Sequence, residues 1–138
     1  MTLHVELVQP EGELWAGNAE MVIARTLDGE IGLLTNHAPI IGILYEGSLV
    51  QIRTEAPGQP DVVAAVSGGF LSVANNRVSI LAREAVLGGD VDTADTQALL
   101  DRTLQSLPQP PGPEEPADVR YYRALLTAAD QGVADQGG

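Results

Sequence analysis

The chain has 138 residues, with 19 Asp and Glu against 7 basic residues, all of them Arg, and a formal net charge of -12. That length accommodates one domain with a small appendage, and the charge repels phosphate backbones at every approach, which excludes nucleic-acid binding. There is no Cys and there are 2 His, so disulfides, thiolate zinc sites, iron–sulfur clusters and cysteine nucleophiles are excluded and little remains for an imidazole metal centre.

From Met1-Thr2-Leu3-His4-Val5-Glu6 onward there is no basic stretch leading into an apolar one, and no apolar run reaches the roughly eighteen residues of a membrane helix. A soluble chain without an export signal is expected. Up to Gly88-Gly89 the hydrophobic period is two. Leu3, Val5 and Leu7 alternate with His4 and Glu6, Met21 and Ile23 with Glu20 and Val22. Leu49 to Arg53, Val62 to Val66, Phe70 to Val73 and Val78 to Leu81 are short β-rich runs, each read as a strand. Gln9-Pro10-Glu11-Gly12, Gly17-Asn18, Asp28-Gly29, Glu46-Gly47, Ala56-Pro57-Gly58, Gly68-Gly69 and Asn75-Asn76 punctuate them. Many short strands with frequent turn signals imply a β-sandwich or barrel.

Asn75-Asn76 predicts a hairpin, because Asn tolerates the left-handed backbone of a tight turn; Phe70–Ala74 should pair with Arg77–Ala82. The stretch Ala56 to Asp61, with two prolines and a glycine, is the expected mobile connection. Trp15 and Phe70 are both assigned to core packing, the default for a large aromatic side chain.

Beyond Gly89 the period becomes helical. Asp90-Val91-Asp92-Thr93 supplies capping residues, and Leu100, Leu104 and Leu107 fall at i, i+4 and i+7, which predicts a helix from about Thr93 to Leu107. The proline-rich connector 108–116 ends it. A second helix is expected from about Pro116, with Val119, Tyr122, Leu126, Ala129 and Val133 on one face and a tail fraying from Gln131. Two helices this short bury too little to stand alone, so they need something to lie against. The organisation is α+β: an N-terminal antiparallel β-sandwich or flattened barrel over 1–88, then a two-helix hairpin arm over 89–138. The arm carries nine acids against three Arg.

Chemistry-bearing residues are few. Glu30 and His37 could form a general acid–base pair, but no nucleophile or third orienting group accompanies them. Gly29-Glu30-Ile31-Gly32 and Gly68-Gly69 lack the spacing and following helix of a phosphate loop and read as turns or bulges. Asp90 and Asp92 lack the later ligands of a calcium loop and read as caps. No cofactor or metal is expected. Arg120, Tyr121, Tyr122 and Arg123 cluster on the second helix as a compact amphipathic surface suited to protein contacts or to packing on the first helix.

Taken in order, Trp15-Ala16-Gly17, Gly29-Glu30-Ile31-Gly32-Leu33-Leu34 with His37-Ala38-Pro39, Gly68-Gly69-Phe70-Leu71, and Asn76-Arg77-Val78-Ser79-Ile80-Leu81-Ala82 make the chain resemble the epsilon subunits of F-type ATP synthases, over roughly residues 2 to 95. The resemblance implies a non-catalytic rotor component linking the gamma subunit to the ring of c subunits, peripheral on the cytoplasmic face of the energy-transducing membrane. It places Glu30, Ile31, Gly32 and His37 on the face toward the c ring. It also implies a C-terminal arm that reaches the catalytic alpha and beta subunits and regulates hydrolysis, here with Arg102, Arg120, Tyr121, Tyr122 and Arg123 as its contact residues.

Two departures follow. Some family members bind ATP through Ile/Leu-Asp-x-x-Arg-Ala at the start of the first helix, where this chain reads Val91-Asp92-Thr93-Ala94-Asp95-Thr96. Asp95 puts a repelling group where the motif has Arg, so no useful ATP affinity is expected. An acidic arm should also be a weak or altered inhibitor of an acidic target. Two other readings remain at this point: a small β-sandwich hydrolase using Glu30 and His37, and a regulatory adaptor that binds through the helical arm alone.

Overall fold

The computed structural model describes residues 2–54, 61–110 and 112–136. Nine strands precede two helices: β1 (Leu3–Gln9), β2 (Gly12–Thr26), β3 (Gly29–Leu33), β4 (Ile40–Ile43), β5 (Ser48–Thr54), β6 (Val62–Val66), β7 (Gly69–Ala74), β8 (Arg77–Ala82) and β9 (Ala85–Leu87), then a 3-10 turn at Gly88–Asp90, α1 (Thr93–Gln105) and α2 (Ala117–Gln136). The strands run β4-β7-β8-β1-β2-β5-β6-β9, with β3 also on β2. Neighbours are antiparallel except β1 and β8, which are parallel, so the sheet is mostly rather than wholly antiparallel. The expected loop at Ala56 to Asp61 lies outside the described residues except for Asp61.

Alternation does the folding. Leu3, Val5 and Leu7 of β1, Val22 and Ala24 of β2, Val50 and Ile52 of β5, Leu71 and Val73 of β7 and Val78 and Ile80 of β8 join one buried cluster, so the sheet curls around a single inner face. Tyr45 N–H donates to the Arg25 carbonyl (2.9 Å) and Leu27 N–H to that of Ile43 (3.0 Å), bringing the β4 end of the sheet back to β2. This is the expected sandwich or flattened barrel.

β2 corrects one reading. It runs unbroken through Gly17-Asn18, where the sequence predicts a turn. A Cβ on Gly17 would lie 3.0 Å from the Trp15 ring; the glycine makes room for the indole, which packs against the core. β3 corrects a second, since Gly29-Glu30-Ile31-Gly32 is a strand paired with β2 rather than a turn or bulge. There a Cβ on Gly32 would meet the Met21 methyl at 2.9 Å.

The Asn75-Asn76 hairpin is present, with φ of 52° and 61° at the two Asn and Gly69–Ala74 paired to Arg77–Ala82. Phe70, however, is not core: it is 54% exposed. Leu71 and Val73 take the inner face of β7, and the two-residue period then turns Phe70 outward.

β6 is buried on both faces. Ala64 and Val66 enter the main core, while Val63 and Ala65 enter a second cluster with Tyr121, Ala124, Leu125 and Ala128 of α2. The helical pair therefore lies against the β domain through α2, and α1 packs on α2. Asp92 caps α1, its Oδ1 accepting from Asp95 N–H at 3.0 Å. The expected α2 face is only partly right: Val119 and Ala129 are buried, but so are Tyr121, Ala124, Leu125 and Ala128. A helix covered on two sides buries more than one stripe.

Candidate functional site

Three surfaces collect the residues of interest. The first is apolar and open. Ile43 on β4 stands opposite Phe70 on β7, and Phe70 stands opposite Leu81 on β8. Directly paired residues share a sheet face, so these three form a row across three strands. Ile41, two residues along β4, lies on the same side, and Leu27 borders a shallow depression of about 360 Å³ with Ile43 and Phe70. Exposure runs from 49% at Leu81 to 80% at Ile41. Single exposed apolar residues are ordinary on a soluble protein; a contiguous row of them marks an interaction surface.

Sequence reading missed this row, yet a signal was there. Ile40-Ile41, Ile43-Leu44, Phe70-Leu71 and Ile80-Leu81 are apolar doublets in or beside strands. A strand can turn only one member of a doublet inward, so the other must face out.

The second surface is the β3 strand and the loop after it. Glu30 is exposed and sits opposite Arg25 in the β2–β3 register. Ile31 is half-buried against the core and Gly32 is exposed. His37 is half-buried, with Nδ1 2.7 Å from the Ala38 carbonyl and the His37 backbone N–H donating to the Leu34 carbonyl at 3.3 Å. The loop is tied down by Asn36 N–H, which donates to Asn76 Oδ1 at 2.6 Å.

Glu30 lines a cavity of about 510 Å³ between the β domain and α2, and His37 is not on its wall. Ser48, the one serine on that wall, donates to the Tyr45 carbonyl at 2.7 Å. Glu30 and His37 thus do not share a cavity wall, and among the described residues no hydroxyl is paired with either of them, so the geometry gives the hydrolase reading no support.

The third surface is the seat of the arm. Arg25 and Arg120 each lie 4.8 Å from the centre of the Tyr45 ring, a pair of cation–π contacts worth about 0.5–1 kcal/mol each where partly exposed. Arg120 also donates to the Glu46 carbonyl at 3.1 Å and the Glu115 carbonyl at 2.5 Å. Arg123 forks onto the Glu115 carboxylate at 2.8 to 3.0 Å. Tyr121 is buried against β6, and Tyr122 is half-buried beside it. Arg102 is exposed near the end of α1. In this arrangement Tyr121 and Tyr122 pack in the cluster between α2 and the β domain, and Arg120 is engaged with Tyr45 and the Glu46 carbonyl. Burial, then the Glu84 carboxylate and Tyr122, push the Tyr121 phenol up to about 12.

With the geometry in place, comparison with known proteins is decisive. The family described as the ATP synthase, Delta/Epsilon chain, beta-sandwich domain matches residues 2–88. The chain belongs to the ATP synthase epsilon family. Among its relatives, the ATP synthase epsilon chain of Thermobifida fusca is 48% identical over 99 residues, 71% of this chain and 72% of that one. That of Corynebacterium urealyticum is 50% identical over 93 residues, covering 67% and 73%. That of Frankia casuarinae is 46% identical over 87 residues, 63% of this chain and 99% of its own.

Among solved structures, a chain of the Euglena gracilis mitochondrial ATP synthase has a TM-score of 0.68 at 20% identity, covering 96% of this chain and 80% of that one. At that identity the likeness concerns the fold. As an ATP synthase epsilon subunit the protein is non-catalytic. None of its described helices is long and apolar enough to cross a membrane.

Proposed function

We propose that this epsilon subunit is a torque-transmitting part of the ATP synthase central stalk, gripping the gamma subunit through the row Ile41, Ile43, Phe70 and Leu81. The observation that carries the grip is that row: four large apolar side chains, each about half exposed or more, on strands locked by the main core. Burying such a side chain contributes about 1.5–3 kcal/mol, and a rigid sheet face adds little ordering cost on binding. A structure of the Tetrahymena thermophila enzyme with a similar fold is titled central stalk/c-ring (TM-score 0.52, 14% identity), which is consistent with such a place.

The strand and loop carrying Glu30, Ile31, Gly32 and His37 then face the c ring. The arm is a secondary, regulatory element. Resting on β6 and held at Tyr45 by Arg120, and acidic overall, it is a weak inhibitor of hydrolysis by the alpha and beta subunits. The subunit works at the cytoplasmic face of the energy-transducing membrane.

The test is co-elution of the purified chain with its cognate gamma subunit, comparing wild type with Phe70→Asp. Wild type should co-elute and Phe70→Asp should not, while both keep the same melting temperature. Undiminished binding of Phe70→Asp would move the gamma contact elsewhere. Loss of gamma binding on deleting residues 90–138 would favour the adaptor reading, in which the arm alone does the binding.

A further inference from the structure

The shallow depression of about 360 Å³ beside the apolar row is walled in part by the arm. Leu27, Ile43 and Phe70 make it apolar, Glu46 comes from the turn after β4, Arg83 from the link between β8 and β9, and Arg120 from α2. Apart from Arg120, the residues that line it belong to the β domain.

The arm meets this turn at close range. Gly47 has φ of 75°, and a Cβ there would lie 2.6 Å from Arg120 Cβ and 2.6 Å from the Tyr121 backbone nitrogen, so α2 rests directly on the turn. The turn is itself bonded into the sheet. Leu44 N–H donates to the Gly69 carbonyl at 2.9 Å, next to Phe70, and Gly47 N–H donates to the Val66 carbonyl at 3.0 Å. Arg120 is thereby held in a fixed place relative to the apolar row.

Its guanidinium also keeps spare capacity. Nε donates to the Glu46 carbonyl and Nη1 to the Glu115 carbonyl, while Nη2 has no hydrogen bond and Arg120 no ion pair among the described residues. Arg83, by contrast, is paired with the Glu46 carboxylate. The depression therefore carries one unneutralised positive charge in a chain of net charge -12.

We propose that the seated arm is part of the gamma-binding surface: a gamma segment with a large apolar side chain next to a carboxylate fills this depression, the apolar group against Ile43 and Phe70 and the carboxylate on Arg120. The inference rests on the reading of the apolar row as the gamma grip. Apolar burial favours the first contact and charge complementarity the second. Because Arg120 walls the depression only while α2 lies on the turn, gamma binds that form more tightly, and by linkage it holds the arm down.

Two measurements on the full chain test this: gamma affinity by calorimetry, and hydrogen exchange of α2 with and without gamma. Gamma should slow exchange several-fold at Ala124 to Ala129, which lie outside the depression and so report seating rather than direct cover. Arg120→Gln should weaken gamma binding roughly ten-fold, the scale of one charge-assisted hydrogen bond. Arg53→Gln removes the same charge from an exposed site at the end of β5, away from the depression, and should change affinity less than about two-fold.

Unchanged α2 exchange on gamma binding, wild-type affinity in Arg120→Gln, or equal weakening by Arg53→Gln would each overturn the inference. Should one of these occur while Phe70→Asp still abolishes binding, the gamma grip stands and only the part played by the arm falls. Undiminished binding of Phe70→Asp overturns the grip and this inference with it.

Discussion

Gly88→Ala isolates the contact that seats the arm. Gly88 is buried in the 3-10 turn after β9, and a Cβ there would lie 2.2 Å from the Ala128 carbonyl oxygen and 2.9 Å from its carbon. Ordinary contact begins near 3.4 Å, so α2 must lift by about 1 Å along its line of contact with β6. Overpacking of this kind costs about 1–3 kcal/mol. The reduced freedom of the unfolded chain returns about 0.4–1 kcal/mol. A net loss of about 1–2 kcal/mol raises the open population of the arm roughly five- to thirty-fold.

Because Gly88 presses on α2, the loss should be confined to the arm. Hydrogen exchange of the α2 amides should accelerate by that factor, while β1, β7 and β8 keep their protection. Unchanged protection of α2 would refute the reasoning. Equal loss in the sheet would refute it too, since the two cores would then unfold as one.

Adjacent residues on β7 should behave oppositely: Leu71→Ala, at 0% exposure, should cost about 2–5 kcal/mol in urea unfolding, and Phe70→Ala less than about 1 kcal/mol. Asn76→Ala should cost about 1–3 kcal/mol in the same assay, because it forces alanine into the left-handed backbone at φ 61° and removes the acceptor of Asn36 N–H. Tyr121 should ionise near 12 in a tyrosinate absorbance titration. The folded value lies above the unfolded one, so its contribution to stability is complete below pH 10 and is lost as pH rises toward 12; Tyr121→Phe should flatten that fall.

Sequence alone revealed much of the β domain, for identifiable reasons. Runs such as Leu49 to Arg53 and Val62 to Val66 carry β-branched residues, and Asn75-Asn76 fits only a narrow range of backbone. Asp92 was legible as a cap because few residues accept from a first-turn amide. What failed was reading glycine as punctuation. Gly17 and Gly32 lie inside strands, and what they do, admitting the Trp15 ring and the Met21 methyl, depends on neighbours that sequence spacing alone does not reveal.

Phe70 failed for a different reason. Its residue type favours the core, but alternation gives the inward position to its neighbour Leu71. The faces of α2 were only half legible because its surroundings, α1 on one side and β6 on the other, are tertiary facts. Of the candidate site residues, Glu30 lies on β3 and lines the cavity beside α2, whereas His37 lies in the following loop and off that wall. The apolar row is hard to read from sequence because its strands pair through the fold, and only the register sets Ile43, Phe70 and Leu81 side by side.

The central claim, that this subunit couples rotation to synthesis without doing chemistry, is tested most directly by reconstitution. ATP synthase depleted of epsilon is placed in vesicles, this chain is added back, and proton-driven ATP synthesis is measured. Wild type and His37→Ala should both restore synthesis, and Phe70→Asp should restore little. Failure of the wild-type chain to restore coupling, or restoration by Phe70→Asp as complete as by wild type, would contradict the account.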